Sequence, residues 1–169
     1  NKNLFEKLAK LRDYGRKSRY EHESLGYNSR LDSLQALFLD LKLKKLDVGN
    51  KKRRMAAGLY RKLLKDTPGV LLPEEAPYGK HVYHIFAIRV KNRDTILEGL
   101  KKAGISAAVH YPVPLHLQEV HKGLCYKRGD FPIAEISAKE VLCLPIYPHI
   151  TRKQIEYVSR ILKGLVYHG

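Results

Sequence analysis

Residues 26–32 open the longest helical pattern in the chain, and this junction constrains the fold more than any other feature of the sequence. The segment is polar and turn-prone, and helix-compatible sequence follows over residues 31–65. Asn28 or Ser29 is placed to cap the free N–H groups at the start of this helix. Because such a start carries partial positive charge, it suits an anion such as phosphate, and Arg30 would add a planar cationic fork. The alternative interpretation is an ordinary capped helix with a solvated Arg30.

The remaining pattern predicts a mixture of helices and strands. Apolar residues at three- and four-residue spacing predict helices over residues 3–14 and 93–102. A further helix of about ten residues is predicted after Pro132. A capping box at Thr151–Gln154 predicts the start of a last helix. β-Branched and aromatic runs predict strands over residues 81–90, 105–111 and 142–146. We expect a kink or break of the long helix at Asp47–Asn50, and Asn92 and Gly104 to cap and stop the helix over 93–102.

Composition bounds the class of protein. A chain of 169 residues with 44% hydrophobic residues can build one domain or a compact part of a larger protein. We find no apolar run long enough to span a membrane and no secretion signal, and because the chain does not begin with Met we expect a processed protein or a fragment. Cys125 and Cys143 are expected to be free thiols in a reducing cytoplasm, with a disulfide as the alternative.

The net charge of +15, from 32 Lys and Arg against 17 Asp and Glu, is the strongest compositional signal. A basic surface attracts nucleic acid, anionic lipid or phosphorylated ligands. The basic residues are spread through the helical patterns, however, and Lys51–Arg54 is the one dense run. Without zinc-finger spacing or an aromatic RNA-binding signature, nucleic-acid binding is a secondary hypothesis.

A second polar cluster lies around the stiff turn Pro112–Pro114, just beyond a predicted strand. His110, Tyr111 and His116 can donate, accept or carry charge there, although a purely structural turn is the alternative. His110 and His116 lack a third ligand at a recognisable spacing, so we predict no metal site. His81 and His84 are expected to be structural. His121, His149 and His168 are expected to lie on the surface or in loops.

Several segments resemble, in the same order, the motifs of one enzyme family. They are Leu25–Ala36, with the pattern G-x-N-x-R-L/M-D-x-x-Q-A, and then His81–His84, Arg93–Asp94, Gly104–Ile105, His110–Gln118, Gly129–Glu135 and Leu144–Pro148. The chain resembles, over nearly its whole length, the DegT/DnrJ/StrS family of pyridoxal-phosphate-dependent sugar aminotransferases. Each motif is moderately specific, and their order makes the resemblance strong.

The resemblance implies a fold and a division of the chain. The implied fold is α/β (α+β), the small C-terminal domain of a fold-type I pyridoxal-phosphate-dependent transferase. A long N-terminal helix would accompany a small mixed or antiparallel sheet covered by helices. Residues 1–30 would be the tail of the large domain and an active-site loop, residues 31–66 a connecting helix or kinked helix pair, and residues 67–169 the small domain.

The resemblance also implies that part of the enzyme is absent from this chain. Family members hold the cofactor in a large N-terminal domain, which carries the lysine that binds the cofactor covalently. Lys2 resembles the start of the family's K-N-L segment, but it falls in the helix before Arg12–Gly15, well downstream of that lysine's place. We therefore expect no catalytic residue in this chain, and we expect the chain alone to be inactive.

The resemblance assigns roles to both polar clusters. Asn28 would donate to the phosphate of pyridoxal 5'-phosphate in the neighbouring subunit of a homodimer, and Arg30 would support that phosphate or the substrate. The residues implied to line the sugar-nucleotide pocket are Tyr27, His110, Tyr111 and His116. The whole enzyme would move an amino group, usually from glutamate, to a keto-sugar nucleotide in the synthesis of amino sugars for polysaccharide, lipopolysaccharide or glycan. The His110–Tyr111 form of the motif favours 3-keto substrates.

Two other interpretations stay open. One is a basic nucleic-acid-binding module, and the other is a regulatory homologue of the same fold that has lost catalysis. Under the main interpretation we expect a cytoplasmic homodimer with shared active sites, whose partners are a sugar nucleotide and an amino donor. Neither a membrane nor a nucleic acid is an expected partner.

Overall fold

The computed structural model describes residues 1–167, so the surface position expected for His168 lies outside the described residues. The chain forms two compact units, residues 1–46 and residues 47–169. The division into segments 1–30, 31–66 and 67–169 stays a prediction.

The first unit contains two helices joined by a long loop. Helix α1 spans Lys2–Leu11 and helix α2 spans Ser33–Leu43. The Asn1 side chain caps α1 by accepting from the Leu4 N–H at 3.3 Å. Gly15, with a φ of 71°, turns the chain away from the helix, as predicted.

The predicted break in the long helix is real, but its predicted position was wrong. Helix α3 spans Leu46–Leu64, so the break falls at Lys44–Lys45, and Asp47–Asn50 lies in the first turns of α3. Asp47 favours a helix start, because a carboxylate in the first turn complements the positive end of the helix dipole. A Cβ on Gly49 would lie 3.6 Å from the Pro148 side chain, which is ordinary van der Waals contact, so packing does not require a glycine at this position.

The second unit is built on a three-stranded antiparallel sheet in the order β1-β2-β3. Its strands are β1 at Val70–Leu71, β2 at Phe86–Val90 and β3 at Val141–Leu144. In the central strand β2 every second residue is buried, and Phe86 pairs with Leu144 and Val90 with Val70. The fold class is confirmed, and the sheet is the antiparallel one of the two predicted forms.

The predicted strand over residues 81–90 was wrong for its first half. Tyr83 has a left-handed φ of 50°, which is incompatible with a strand. The backbone of residues 81–84 is instead bonded to side chains: Glu75 Oε1 accepts from the His81 N–H, and the guanidinium of Arg54 donates to the His81 carbonyl. The strand therefore begins only at Phe86.

The predicted strand over residues 105–111 was also wrong. Its N–H groups at Ile105 and Ala107 make local turn bonds, to the carbonyls of Leu100 and Ile105. Only Ala108 pairs with the sheet, in a single antiparallel bridge to Cys143 of β3. Strand β1 was not predicted, because two residues carry no readable alternation.

The helices of the second unit agree better with prediction. Helix α4 spans Arg93–Lys102, α5 spans Pro132–Glu140 and α6 spans Arg152–Tyr167, and short 3₁₀ turns lie at Leu115–Leu117 and Glu119–Leu124. The capping box is confirmed, since Thr151 Oγ1 accepts from the Gln154 N–H at 3.3 Å and Gln154 Oε1 accepts from the Thr151 N–H at 2.8 Å. Asn92 stands at the N-cap position of α4, as predicted, but it has a left-handed conformation and makes no side-chain capping hydrogen bond.

One apolar core joins the sheet to the helices of the second unit. The fully buried large side chains are Tyr60, Leu64, Phe86, Ile88, Val90, Leu100, Leu142 and Leu162, which come from α3, β2, α4, β3 and α6. The ring of Tyr60 stacks on Phe86 at 5.1 Å, and its hydroxyl donates to the Pro145 carbonyl at 2.9 Å. Burial raises the pKa of the Tyr60 phenol. Cys125 and Cys143 carry free thiols, as predicted.

Within the described residues, no helix is long and apolar enough to cross a lipid bilayer.

Candidate functional site

The loop of the first unit holds Tyr27 and Asn28 through backbone pairing with the end of α1. The Tyr27 N–H donates to the Leu11 carbonyl at 2.7 Å, and the Tyr14 N–H donates to the Tyr27 carbonyl at 3.0 Å. Asn28 forms an antiparallel bridge with Asp13. Because the backbone is fixed on both sides, the exposed side chains of Tyr27 and Asn28 project from a defined position.

Gly26 makes this pairing sterically possible. A Cβ on Gly26 would lie 2.1 Å from the Gly15 nitrogen and 2.5 Å from the Tyr14 carbonyl carbon. No side chain fits at such distances, because the obstacle is backbone. The glycine in the motif before Tyr27 is thus required by the close approach of two chain segments.

The start of α2 differs from the prediction in the residue that caps it. Neither Asn28 nor Ser29 is the cap, since Asp32 Oδ1 accepts from the N–H groups of Leu34 at 2.9 Å and Gln35 at 3.2 Å. Asp32 is the residue immediately before the first helical residue, where a short acidic side chain reaches these donors. Two donors of the helix start are therefore occupied by a carboxylate, which argues against an anion site made by the helix end itself.

Arg30 instead lies beside the carboxylate of Asp13. Its Nε is 3.8 Å from Asp13 Oδ1, and its guanidinium is 5.9 Å from the centre of the Tyr14 ring. On the other side, Arg16 Nη1 is 3.9 Å from Asp13 Oδ2. Asp13 Oδ1 is a buried oxygen without a hydrogen bond among the described residues, so it attracts a guanidinium without holding it in a short bond. The Arg30 side chain is 57% exposed and keeps its donors available.

The second cluster, His110 and Tyr111, follows directly from the pairing of Ala108 with β3. The Cys143 N–H donates to the Ala108 carbonyl at 2.8 Å, and the Ala108 N–H donates back at 3.1 Å. The His110 and Tyr111 rings lie 5.4 Å apart, edge to face. Tyr111 is 74% exposed, so its hydroxyl is open to a ligand.

The second unit brings His110, Tyr111 and His116 together around one groove of about 850 Å³. Most of its other walls are apolar or aromatic: Val113, Pro114, Leu115, Val120, Leu124, Tyr126, Phe131, Ala134, Ala138 and Val141. A concave apolar surface with a few polar groups at one side is the usual form of a small-molecule site. Tyr27, Asn28 and Arg30 belong to the first unit and these residues to the second.

His116 is the least exposed of the predicted site residues. Its side chain is 8% exposed, and its Nε2 lies 3.1 Å from Oε1 of Glu135 on α5. The same oxygen accepts from the Gly129 N–H at 2.6 Å. The Gly129 N–H and then the His116 ring hold the pKa of the Glu135 carboxyl below its ordinary value. Glu135 closes the Gly129–Glu135 segment of the family resemblance, but sequence reasoning gave it no role, because nothing local marks a partner that is nineteen residues away.

A second cavity, of about 870 Å³, lies along α3, and its charged lining residues are Asp47, Lys51, Arg54, Arg61, Glu75 and Lys80. Glu75 Oε1 lies 2.7 Å from Arg54 Nη1, and this contact, followed by the His81 N–H, lowers the pKa of the Glu75 carboxyl to about 2. Arg53 donates from Nη1 to the carbonyls of Tyr83, His84 and Ile146 at 3.3, 3.1 and 2.9 Å. Arg53 and Arg54, two of the four residues in the dense basic run Lys51–Arg54, thus stabilise the fold.

Among residues 1–167, no group of three or more His, Cys, Asp or Glu side chains is arranged to hold a metal ion.

Comparison with known proteins gives a family match over residues 1–163, to the DegT/DnrJ/EryC1/StrS aminotransferase family. Among curated proteins, the chain is 44% identical over 161 residues to the "Erythromycin biosynthesis sensory transduction protein EryC1" of Saccharopolyspora erythraea, covering 95% of this chain and 44% of that protein. It is 42% identical to the "dTDP-3-amino-3,4,6-trideoxy-alpha-D-glucose transaminase" of Streptomyces venezuelae, covering 89% of this chain and 40% of that protein. It is 38% identical to the "UDP-N-acetyl-3-dehydro-alpha-D-glucosamine 3-aminotranferase" of Acidithiobacillus ferrooxidans, covering 98% of this chain and 44% of that protein.

Solved structures have the same fold. DesV from S. venezuelae, described as in complex with a ketimine intermediate, matches with a TM-score of 0.94 and 39% identity over 98% of this chain and 45% of that chain. NtdA from Bacillus subtilis, described with bound cofactor PMP, matches with a TM-score of 0.87 and 27% identity over 99% of this chain and 40% of that chain. The chain thus spans less than half the length of these relatives. By sequence over residues 1–163 and by fold, the chain belongs to the DegT/DnrJ/EryC1/StrS aminotransferase family.

Proposed function

We propose that the protein containing this chain is a pyridoxal-phosphate-dependent aminotransferase that transfers an amino group, from glutamate as donor, to a keto-sugar nucleotide. The family match over residues 1–163 is the observation that carries this proposal. Relatives at 42% and 38% identity bear the names of transaminases of dTDP and UDP sugars, and both names refer to position 3 of the sugar. These names support amination at that position. They leave the nucleotide as either dTDP or UDP.

Pyridoxal phosphate is the cofactor implied by the family and by the solved relative described with bound PMP. When bound, it supplies the electron sink for amino transfer. The first unit fits its phosphate through the exposed Asn28 amide and the exposed Arg30 guanidinium. The start of α2 contributes less than the sequence suggested, because Asp32 already occupies two of its donors.

In this proposal, Asn28 would donate its amide N–H to the cofactor phosphate of the neighbouring subunit, and Arg30 would pair with the same phosphate or with the substrate. A guanidinium offers a planar pair of donors that matches a phosphate. Asp13 keeps Arg30 near its working position without a short hydrogen bond, since the distance is 3.8 Å. The Asn28 backbone is fixed by its bridge to Asp13.

The homodimer is supported by the surface of α2, in which seven of the eleven residues are Leu, Ala or Phe and are not confined to one side. Its exposed side chains include Leu34 at 67%, Phe38 at 63% and Leu41 at 51%. Exposed apolar surface of this extent is normally covered by another segment or subunit. We therefore infer that other parts of the whole protein, from the same subunit and its partner, cover α2.

The groove of the second unit is the proposed place for the sugar nucleotide. Tyr111 offers a hydroxyl and His110 a ring nitrogen at its polar side, and both are exposed. Tyr27, which is 68% exposed, stays a proposed contact of the substrate. The apolar walls suit the flat faces of a nucleoside, while the polar groups suit its sugar and phosphate oxygens.

The expected location of the enzyme is the cytoplasm.

The test is amino transfer by the full-length protein with pyridoxal phosphate, glutamate and 3-keto sugars of dTDP and UDP. Product formation with either nucleotide is expected, and Arg30→Ala should weaken cofactor binding about tenfold or more through loss of a charge-assisted contact. Arg19→Ala is the matched control, because Arg19 is an exposed arginine of the same loop. Wild-type protein that binds the cofactor but aminates neither nucleotide sugar would contradict the proposal.

The same assay separates the other interpretations. A cofactor-binding protein without transfer activity would favour a regulatory role, which the name of the Saccharopolyspora relative suggests for that protein. Nucleic-acid binding has weaker support, since Arg53 and Arg54 are engaged within the fold. Binding to random duplex should be weak and should fall steeply with salt, and a salt-resistant specific component would point to a nucleic-acid module.

A further inference from the structure

The contact between His116 and Glu135 joins three segments at one atom. His116 belongs to the 3₁₀ turn at Leu115–Leu117, Gly129 to the loop before α5, and Glu135 to the first turn of α5. Oε1 of Glu135 receives both the His116 ring at 3.1 Å and the Gly129 N–H at 2.6 Å. A single carboxylate oxygen therefore links two separate stretches of chain near the groove to one helix.

The chemistry of this contact defines the His116 ring. An ionised carboxylate can only accept hydrogen bonds, so the facing nitrogen, Nε2, must be the donor. This leaves Nδ1 as an acceptor in the neutral ring. The pair is nearly closed to solvent, with side-chain exposures of 8% for His116 and 12% for Glu135. At such a site a partner cannot be removed without leaving a poorly solvated polar group behind.

The same contact supports the aromatic wall of the groove. The ring of Phe131 lies 4.9 Å from His116 and 5.1 Å from Tyr126. Phe131, Tyr126 and His116 all line the groove. Movement of His116 would therefore move the wall against which a nucleotide would lie.

We propose that Glu135 is a positioning residue for nucleotide binding, which fixes the His116 tautomer and holds the aromatic wall in place before the ligand arrives. The proposal rests on the proposed function, because the ligand of the groove is the sugar nucleotide. Glu135 touches neither cofactor nor reacting atoms in this account. It acts through preorganisation, which raises affinity by removing the need to order the groove on binding.

Three variants of the full-length holoenzyme test this role. Glu135→Ala removes the acceptor, Glu135→Gln keeps an oxygen acceptor without the charge, and Glu98→Gln is the control from the exposed face of α4. The dissociation constants of dTDP and UDP are measured by calorimetry, alongside kcat and KM for the nucleotide-sugar substrate. Long-range ¹H–¹⁵N spectra of histidine-labelled protein report the His116 tautomer at about pH 9, where a free imidazole is neutral.

The expected result is a loss of affinity without a loss of chemistry. Glu135→Ala should weaken binding of the preferred nucleotide and raise KM by about tenfold or more, with kcat within about twofold of wild type. Glu135→Gln should show a smaller loss and should retain the proton on Nε2, while Glu98→Gln should match wild type. If Glu135 only stabilised the fold, melting temperature would fall while affinity and tautomer stayed unchanged.

Two results would overturn the inference and leave the proposed function standing. The first is a spectrum showing that, in the wild-type protein, the neutral His116 ring carries its proton on Nδ1. The second is that both Glu135 variants bind nucleotide as tightly as the wild type. Wild-type protein that binds neither dTDP nor UDP and transfers no amino group would instead contradict the proposed function. In that case the tautomer measurement still decides whether Glu135 fixes His116.

Discussion

At the residue scale, two adjacent arginines of α3 organise the second unit. Arg53 Nη1 donates to carbonyls on either side of the sheet region, at His84 before β2 and at Ile146 after β3. Arg54 holds Glu75, which in turn accepts from the His81 N–H. These side chains replace the backbone pairing that a strand over residues 81–85 would have provided.

Replacing Arg53 with Met should lower the free energy of unfolding by about 2 kcal/mol, because three carbonyls lose a charged donor. Denaturant unfolding of the full-length protein measures the loss. Lys52→Met is the matched control, since Lys52 is exposed beside it on the same helix. Equal stability of the two variants would show that the hydrogen bonds from Arg53 to the three carbonyls do not stabilise the fold.

Glu75 predicts a pH dependence of stability. Contact with Arg54 lowers its folded pKa from an ordinary 4.5 to about 2. A lowered folded pKa means that the carboxylate stabilises the folded state above its unfolded pKa and that this contribution disappears as the pH falls through the folded value. The stability difference between wild type and Glu75→Gln should therefore be constant above about pH 5 and should shrink towards pH 2.

Unfolding measured across this range checks the prediction, and ¹³C titration of the Glu75 carboxyl measures its pKa directly. Glu74→Gln is the control, because Glu74 is its exposed neighbour. A stability difference for Glu75→Gln that does not change between pH 5 and pH 2 would rule out the assigned ion pair.

At the element scale, helix ends were predicted well where the signal is local. The capping box at Thr151–Gln154 and the stop at Gly104 depend on residues next to the helix. The sequence also indicates the loop that we propose for phosphate binding, but not its geometry. Asp32 rather than Asn28 caps α2, because the helix begins later than the apolar pattern does.

The strands were predicted less well because their limits depend on distant partners. The segment before Phe86 looks like strand in sequence, yet its hydrogen bonds go to side chains of α3 and to Glu75. In the same way, His116 was found as a site candidate while its partner Glu135 was not, since the pair is formed by the fold. Local patterns identify the residues that carry chemistry, and tertiary contacts decide their roles.

The cap of α6 gives a prediction at this scale. Thr151→Ala should cost about 1 kcal/mol of stability, because the Gln154 N–H loses its acceptor. Thr151→Ser keeps the hydroxyl and should retain most of that stability. Thermal unfolding of the two variants compares them, and equal losses for Ala and Ser would show that the hydroxyl does not cap the helix.

At the scale of the whole molecule, the chain presents apolar side chains at its surface. Helix α2 exposes Leu34, Phe38 and Leu41 by more than half. Large contiguous apolar patches mark interfaces in native proteins. Together with a length below half that of its relatives, this surface supports our proposal that other segments and a second subunit complete the site.

Residues 1–169 alone should therefore form no stable covalent adduct with pyridoxal phosphate and should transfer no amino group. The isolated chain should also self-associate through its apolar surface. Absorbance spectroscopy with cofactor, an amino-transfer assay and light scattering measure these properties. Turnover by the isolated chain, or a monomer over a wide concentration range, would contradict this picture of an incomplete site.

The most direct test of the central claim is a subunit-mixing experiment on the full-length protein. One variant carries Asn28→Ala and Arg30→Ala, and the other lacks the lysine that binds the cofactor, so each alone should be inactive. If Asn28 and Arg30 serve the partner's cofactor, random mixed dimers regain one intact site each, and total activity should return to about a quarter of wild type. No recovery on mixing, with dimer exchange demonstrated, would mean that these residues do not act across the subunit boundary.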